Sequence, residues 1–97
     1  MPKAYVISAY REVKNPEKLA DYAKLAGPAI AAAGGRFIAR GPAAKAMEDG
    51  LMQRTVIIEF DSLEAAMALY DSAPYQEAVR ALGKDSVIRD MRVVEGV

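Results

Sequence analysis

The stretch Arg54-Thr55-Val56-Ile57-Ile58-Glu59-Phe60, followed at once by Asp61-Ser62-Leu63-Glu64, decides the fold. A run this rich in β-branched side chains makes a strand. Asp61-x-x-Glu64 then reads as a capping box that opens a helix. Leu63, Ala66, Met67 and Tyr70 fall on one helical stripe behind it. Ser72-Ala73-Pro74 breaks that helix, and Pro74 starts a short extra one carrying Tyr75, Val79 and Leu82 up to Gly83. Ser86 to Val94 reads as the last strand.

Upstream, Gly41 to Gln53 carries Gly-Pro and Asp-Gly turn signals and has no strand period. It is long for a hairpin connection, a length often found in lids, and its Glu48-Asp49 pair reads first as a solvated turn. Before it, Arg36 to Arg40 is a short strand and Gly34-Gly35 a helix stop. Asn15-Pro16-Glu17 is a helix start: Asn caps free N–H groups, Pro fits the first turn, and Glu suits the positive end of the dipole. Leu19, Tyr22, Ala23, Ala26, Ile30 and Ala33 follow at helical spacing, with Pro28 predicting a kink or a tightened last turn. Lys3 to Arg11 is the first strand. The order β-α-β-β-α-β is the ferredoxin-like arrangement of the α+β class, a four-stranded antiparallel sheet with both main helices on one face. With 97 residues the chain is expected to be one domain, residues 1–97.

In such a fold a monomer should show strands that alternate apolar-in and polar-out. These strands do not. Tyr5, Ile7 and Ala9 oppose Ala4, Val6 and Tyr10, while Ile57 opposes Val56 and Ile58. Helices on one face leave the other uncovered, and the economical cover is the same sheet of a second subunit. The chain is therefore expected to form a homodimer through the sheet face. Ala accounts for 19 of the 97 residues, so the core has few large side chains and little margin to spare, which fits that expectation.

Lys+Arg and Asp+Glu are both 13, so no basic surplus points to nucleic acid or an acidic membrane. RNA-recognition domains share this order of elements, but they put base-stacking aromatics on the third strand, where this chain has aliphatic residues and Glu59. With no Cys and no His, thiolate nucleophiles, Ser–His dyads, zinc fingers, Fe–S clusters and His-ligated haem are excluded. No metal and no cofactor is expected. The longest small-apolar run, Ala29 to Ala33, is far short of the ~20 residues of a membrane span. The expected location is the cytoplasm.

Tyr5, Asn15-Pro16-Glu17, Tyr22, Gly34-Gly35-Arg36, Ala39-Arg40-Gly41, Glu48, Arg54 to Phe60, Ala65-Ala66, Tyr70-Asp71-Ser72, Tyr75-Gln76 and Val94-Glu95-Gly96, in this order and spacing, resemble the family called domain of unknown function 1330. The resemblance runs over almost the whole chain. It implies the dimeric α+β barrel superfamily, in which two ferredoxin-like subunits pack sheet against sheet. Relatives in that superfamily include cofactor-free oxygenases, haem-degrading enzymes and lactone isomerases. The family itself carries no assigned activity, so the resemblance implies no catalytic residue. Leu69 departs from the pattern, standing where the family commonly has Trp.

Without His or Cys, acid–base work falls to Asp, Glu, Tyr, Lys or water. Glu59, opposite in face to Ile58 and Phe60, points toward the second sheet if Phe60 packs under the helices, and then needs a cation such as Arg40 or Arg89. Arg40 is expected to share a cavity with Glu59 and to hold a ligand carboxylate there by two hydrogen bonds; the competing reading is a structural ion pair. Arg54, Tyr22, Tyr70 and Tyr75 are further ligand-binding candidates, the tyrosines lining a cleft between helices and sheet. Two functions stay open: binding of a small organic acid or aromatic metabolite in that cleft, as in a cofactor-free enzyme, or a non-catalytic dimeric module for a metabolite or a protein partner.

Overall fold

In the computed structural model, which describes residues 2–97, the chain forms β1 (Ala4–Val13), α1 (Pro16–Ala32), β2 (Arg36–Pro42), β3 (Arg54–Phe60), α2 (Leu63–Leu69), α3 (Ala73–Leu82) and β4 (Val87–Glu95). The four strands make one antiparallel sheet in the order β2-β3-β1-β4, the ferredoxin-like topology. Along β1 and β3 the alternation is strict. Ala4, Val6, Ser8 and Tyr10, with Val56, Ile58 and Phe60, are buried in the core that includes the helices' Tyr22, Ala26, Ile30, Tyr75 and Leu82. Tyr5, Ile7, Ala9, Thr55, Ile57 and Glu59 fall between them on the other, open face and are half-buried.

Local chemistry explains the ends of the elements. Asn15 caps α1, its Oδ1 accepting from the Lys18 N–H at 3.1 Å. The helix continues through Pro28 to Ala32. It closes with the Gly34 N–H on the Ala31 carbonyl at 3.0 Å and the Gly35 N–H on the Ile30 carbonyl at 2.9 Å. Gly34, at φ +88°, takes the left-handed turn that this crossed pair of bonds requires. Gly35 serves a different need. A Cβ there would stand 2.7 to 2.9 Å from methyl and ring carbons of Ile30, Ile58 and Phe60, so glycine lets the chain pass flat against the core.

Two details differ from the sequence reading. The cap of α2 is Ser62, whose Oγ accepts from the Ala65 N–H at 3.1 Å. Asp61 is drawn instead to Arg36, at 3.0 Å, and to Lys3, at 3.5 Å. The short helix is α2 and the longer one is α3, because the break at Ser72-Ala73-Pro74 is itself a good start: Pro74 sits in the first turn, where its missing N–H costs nothing.

Gly35→Ala should overpack the junction and destabilise the fold by about 1–3 kcal/mol, read as a lower urea midpoint at unchanged slope. An unchanged midpoint would show that the junction is looser than described.

Candidate functional site

The face of α1 that looks toward β2 and β3 carries Ala23, Ala26 and Gly27. Side chains this small do not fill the layer between helix and sheet, and a cavity of about 70 Å³ remains there. An enclosed water needs roughly 10–15 Å³ on the same measure, so the space suits a handful of non-hydrogen atoms. Ile30, Phe37, Val56 and Ile58 make its apolar wall. Six side chains with polar ends also line it: Ser8, Tyr10, Tyr22, Tyr75, Arg40 and Arg54.

Arg40 reaches this cavity because of an irregularity in β2. The register runs Phe37↔Ile58, then Ala39↔Ile57 and Arg40↔Val56, so one extra residue sits between Phe37 and Ala39. Without the bulge Phe37 and Arg40 would lie on opposite faces; with it, both lie on the helix face. The Arg40 guanidinium carbon then rests 4.4 Å from the centre of the Phe37 ring, a cation–π contact that holds the charge beside the cavity. Arg54, two residues before Val56, shares that face by strand period. Arg40 is exposed and Arg54 half-buried, and together they form a cationic mouth.

The inner end is phenolic. Tyr22 and Tyr75 meet edge to face, centroids 5.9 Å apart, and their hydroxyls share one hydrogen bond. Burial, and next the Tyr22 oxygen, push the Tyr75 phenol well above its ordinary pKa of 10.0, so it holds its proton at neutral pH. Arg89 on β4 donates to the Tyr10 hydroxyl at 3.2 Å and stacks on the Tyr22 ring at 4.8 Å. Burial opposes the Arg89 charge, but the phenol oxygens of Tyr22 and Tyr75 more than offset it, and its pKa lies above the ordinary arginine value. Ser8, only 4% exposed, has a buried Oγ with no hydrogen-bond partner among the described residues.

Of the six residues picked from the sequence, the structure brings four together here: Arg40, Arg54, Tyr22 and Tyr75. Tyr70 is exposed at the end of α2, 5.6 Å from the Tyr75 ring, and lines a separate groove with Arg89 and Arg92. Glu59 faces the other way. It lies opposite Tyr5 and Arg36 on the open face, so the expected Arg40–Glu59 pair does not form. The β2 bulge is the reason: it turns Arg40 to the helix side while Glu59 stays in phase with Ile57. Glu59 pairs instead with Arg36 at 2.9 Å and Lys3 at 3.8 Å, and accepts from the Tyr5 hydroxyl at 3.5 Å. The cations that pair with Glu59 are thus neither Arg40 nor Arg89, the two the sequence reading named. Ser8 and Tyr10 were not picked, though the period-two run Ala4, Val6, Ser8, Tyr10 already put a hydroxyl in an apolar stripe.

The fold and cavity define a ferredoxin-like α+β domain with a cleft between helices and sheet. The chain belongs to the family described as domain of unknown function (DUF1330), whose model matches residues 3–97. No curated protein matches the sequence. Among solved structures, the RPA0582 protein of Rhodopseudomonas palustris is similar at 20% identity and TM-score 0.70, over 97% of this chain and 80% of that one. A dimeric ferredoxin-like protein of unknown function from Thermobifida fusca is similar at 13% identity and TM-score 0.63, over 97% and 91%. A candidate antibiotic biosynthesis monooxygenase from Nitrosomonas europaea is similar at 15% and TM-score 0.63, over 98% of each chain. Identities this low establish the common fold alone. No helix among the described residues is long and apolar enough to cross a membrane.

Hydrogen bonds from Arg36 hold the Glu59 and Asp61 carboxyls below their ordinary pKa values of 4.5 and 3.8, with Lys3 adding to the effect. Depressed carboxyl pKa values contribute stability that is present above those ordinary values and lost as pH falls through the folded ones. The melting-temperature gap between the natural protein and Arg36→Ala should therefore be small at neutral pH, where exposed ion pairs contribute little, and close below pH 4.5. A gap that widens on acidification would contradict the pairing.

Proposed function

We propose that this protein binds a small organic acid, or an aromatic compound bearing an acid group, in the cavity between α1 and the sheet. The observation that carries the reading is the two-ended cavity wall: Arg40 and Arg54 at the mouth and apolar side chains behind them. Guanidinium groups recognise carboxylates by paired, charge-assisted hydrogen bonds, and Arg40 is already oriented by Phe37. Among the described residues, no carboxylate, amide or imidazole side chain lines the cavity. With Tyr75 held protonated, the lining offers no strong base. The chemistry such a wall supports is stabilisation of negative charge on a ligand oxygen, which serves binding and also polarises a carbonyl without a cofactor.

The working unit in this reading is a homodimer formed through the open face of the sheet. Ile57 lies opposite both Ile7 and Ala39, an apolar centre with no helix over it. Ion pairs flank it at each end: Arg36 with Glu59 and Asp61, and Asp90 with Arg92 and Arg11. Met47, Leu51 and Met52 in the connection between β2 and β3 are exposed, adding apolar surface for a partner copy. The dimeric description of the Thermobifida fusca protein supports a two-subunit assembly.

Calorimetric titration with valerate and benzoate tests the site. Each should bind, and Arg40→Ala or Arg54→Ala should weaken binding about ten- to a hundredfold with little change in melting temperature. Binding that ignores both substitutions would sink the reading. For the dimer, light scattering should give twice the chain mass, and Ile57→Lys should yield a monomer or an unfolded chain by placing an unpaired charge in the interface. A natural protein that is folded and monomeric at micromolar concentration would contradict it.

A further inference from the structure

The hydroxyl groups that line the cavity carry more hydrogens than they place in hydrogen bonds. Tyr22 and Tyr75 carry two and share a single hydrogen bond, which leaves one over. The Tyr10 hydroxyl accepts from Arg89, which cannot accept in return, so the Tyr10 hydrogen is also free of that bond. Ser8 has no partner among the described residues. Tyr10, Tyr22, Tyr75 and Ser8 are each at least nine-tenths buried, where an unmatched polar group is costly. All four line the same cavity.

Their position is set by the sheet. Arg40, Val56, Ser8 and Met91 are successive partners across β2, β3, β1 and β4, one row on the helix face. Arg40 and Ser8 therefore stand two strand spacings apart, about 10 Å at the backbone. The cationic mouth is at the β2 side of this row. The hydroxyl cluster is at its middle, with Tyr10 two residues beyond Ser8 on the same strand.

We propose that the ligand of this cavity carries two separated oxygen acceptors: a carboxylate held by Arg40 and Arg54, and a carbonyl-type oxygen at the inner end that receives hydrogen bonds from Ser8 and the tyrosine hydroxyls. This rests on the reading of the cavity as an acid site and adds the second anchor. The class it names is the short oxo acid. An ammonium group at the inner end meets only hydroxyls there, with the charged Arg89 close by, so amino acids bearing a distal amine are disfavoured.

The test compares levulinate with valerate, acids of equal carbon number that differ by one inner carbonyl, by calorimetric titration of the intact protein. The natural protein should bind levulinate about tenfold more tightly or better. Ser8→Ala should remove most of that preference while leaving valerate affinity unchanged. Its melting temperature should stay at or above the natural value, because the hydroxyl it removes has no partner to lose. Tyr75→Phe should likewise lower the preference. Equal binding of the two acids, with affinity still dependent on Arg40, overturns the second anchor and leaves the acid site standing. A preference that survives in Ser8→Ala and Tyr75→Phe also overturns it. If neither acid binds, the acid site and the second anchor fail together.

Discussion

One face of the central strands β1 and β3 is buried under the helices, and everything else in the molecule is in phase with that burial. Side chains alternate with period two, so placing Val56, Ile58 and Phe60 against the core forces Thr55, Ile57 and Glu59 onto the opposite surface. The same rule on β1 assigns Ser8 and Tyr10 to the cavity and Tyr5 and Ile7 to the open face. The two surfaces are then available for two purposes. One encloses a small volume with donors around it, and the other presents a flat apolar centre with ion pairs at its ends.

The β2 bulge breaks that phase, as does a second register shift between Tyr10 and Glu12 on β1, and it brings the Arg40 charge to the cavity. A regular β2 carrying the Phe37↔Ile58 register throughout would put Arg40 opposite Thr55 on the open face, while Phe37 kept its place. The extra residue brings the ring and the guanidinium together on one side. Small residues on α1 do the rest. Ala23, Ala26 and Gly27 give up packing volume over β2 and β3, whereas the larger Tyr22 and Ile30 on the same helix wall the space they leave. A chain so rich in alanine has a core with little to spare, and the open face offers apolar area that a second copy would bury.

Much of this was legible before any coordinates. Strand β3 is centred on its β-branched run Thr55 to Ile58, and Asn15-Pro16 marks the start of α1 because capping is local chemistry. The two-faced apolar character of β1 was visible from its alternation. What could not be read was register. Nothing in Arg36-Phe37-Ile38-Ala39-Arg40 announces a bulge, and one residue of slip sends Arg40 away from Glu59. Asp61 looked like a helix cap because the cations that claim it, Lys3 and Arg36, are remote in sequence. Ser8 was passed over because a lone serine in a strand gains meaning only when its neighbours across the sheet and above it leave its hydroxyl without a partner. Tyr70 was read on one stripe with Leu63, Ala66 and Met67, but α2 buries Ala66 and Leu69 and leaves Leu63, Met67 and Tyr70 exposed.

On the proposed reading, small acids bind at the helix face and not at the open face of the sheet. Backbone amide shifts of isotope-labelled protein during titration with a short carboxylic acid test it most directly. Changes should concentrate at Ser8 and Tyr10 on β1, Ala23 to Gly27 on α1, and Phe37 to Arg40 on β2, together with shifts of the Arg40 and Arg54 side-chain N–H signals. Changes centred on Tyr5, Ile57 and Arg36, or none at saturating acid, would contradict it.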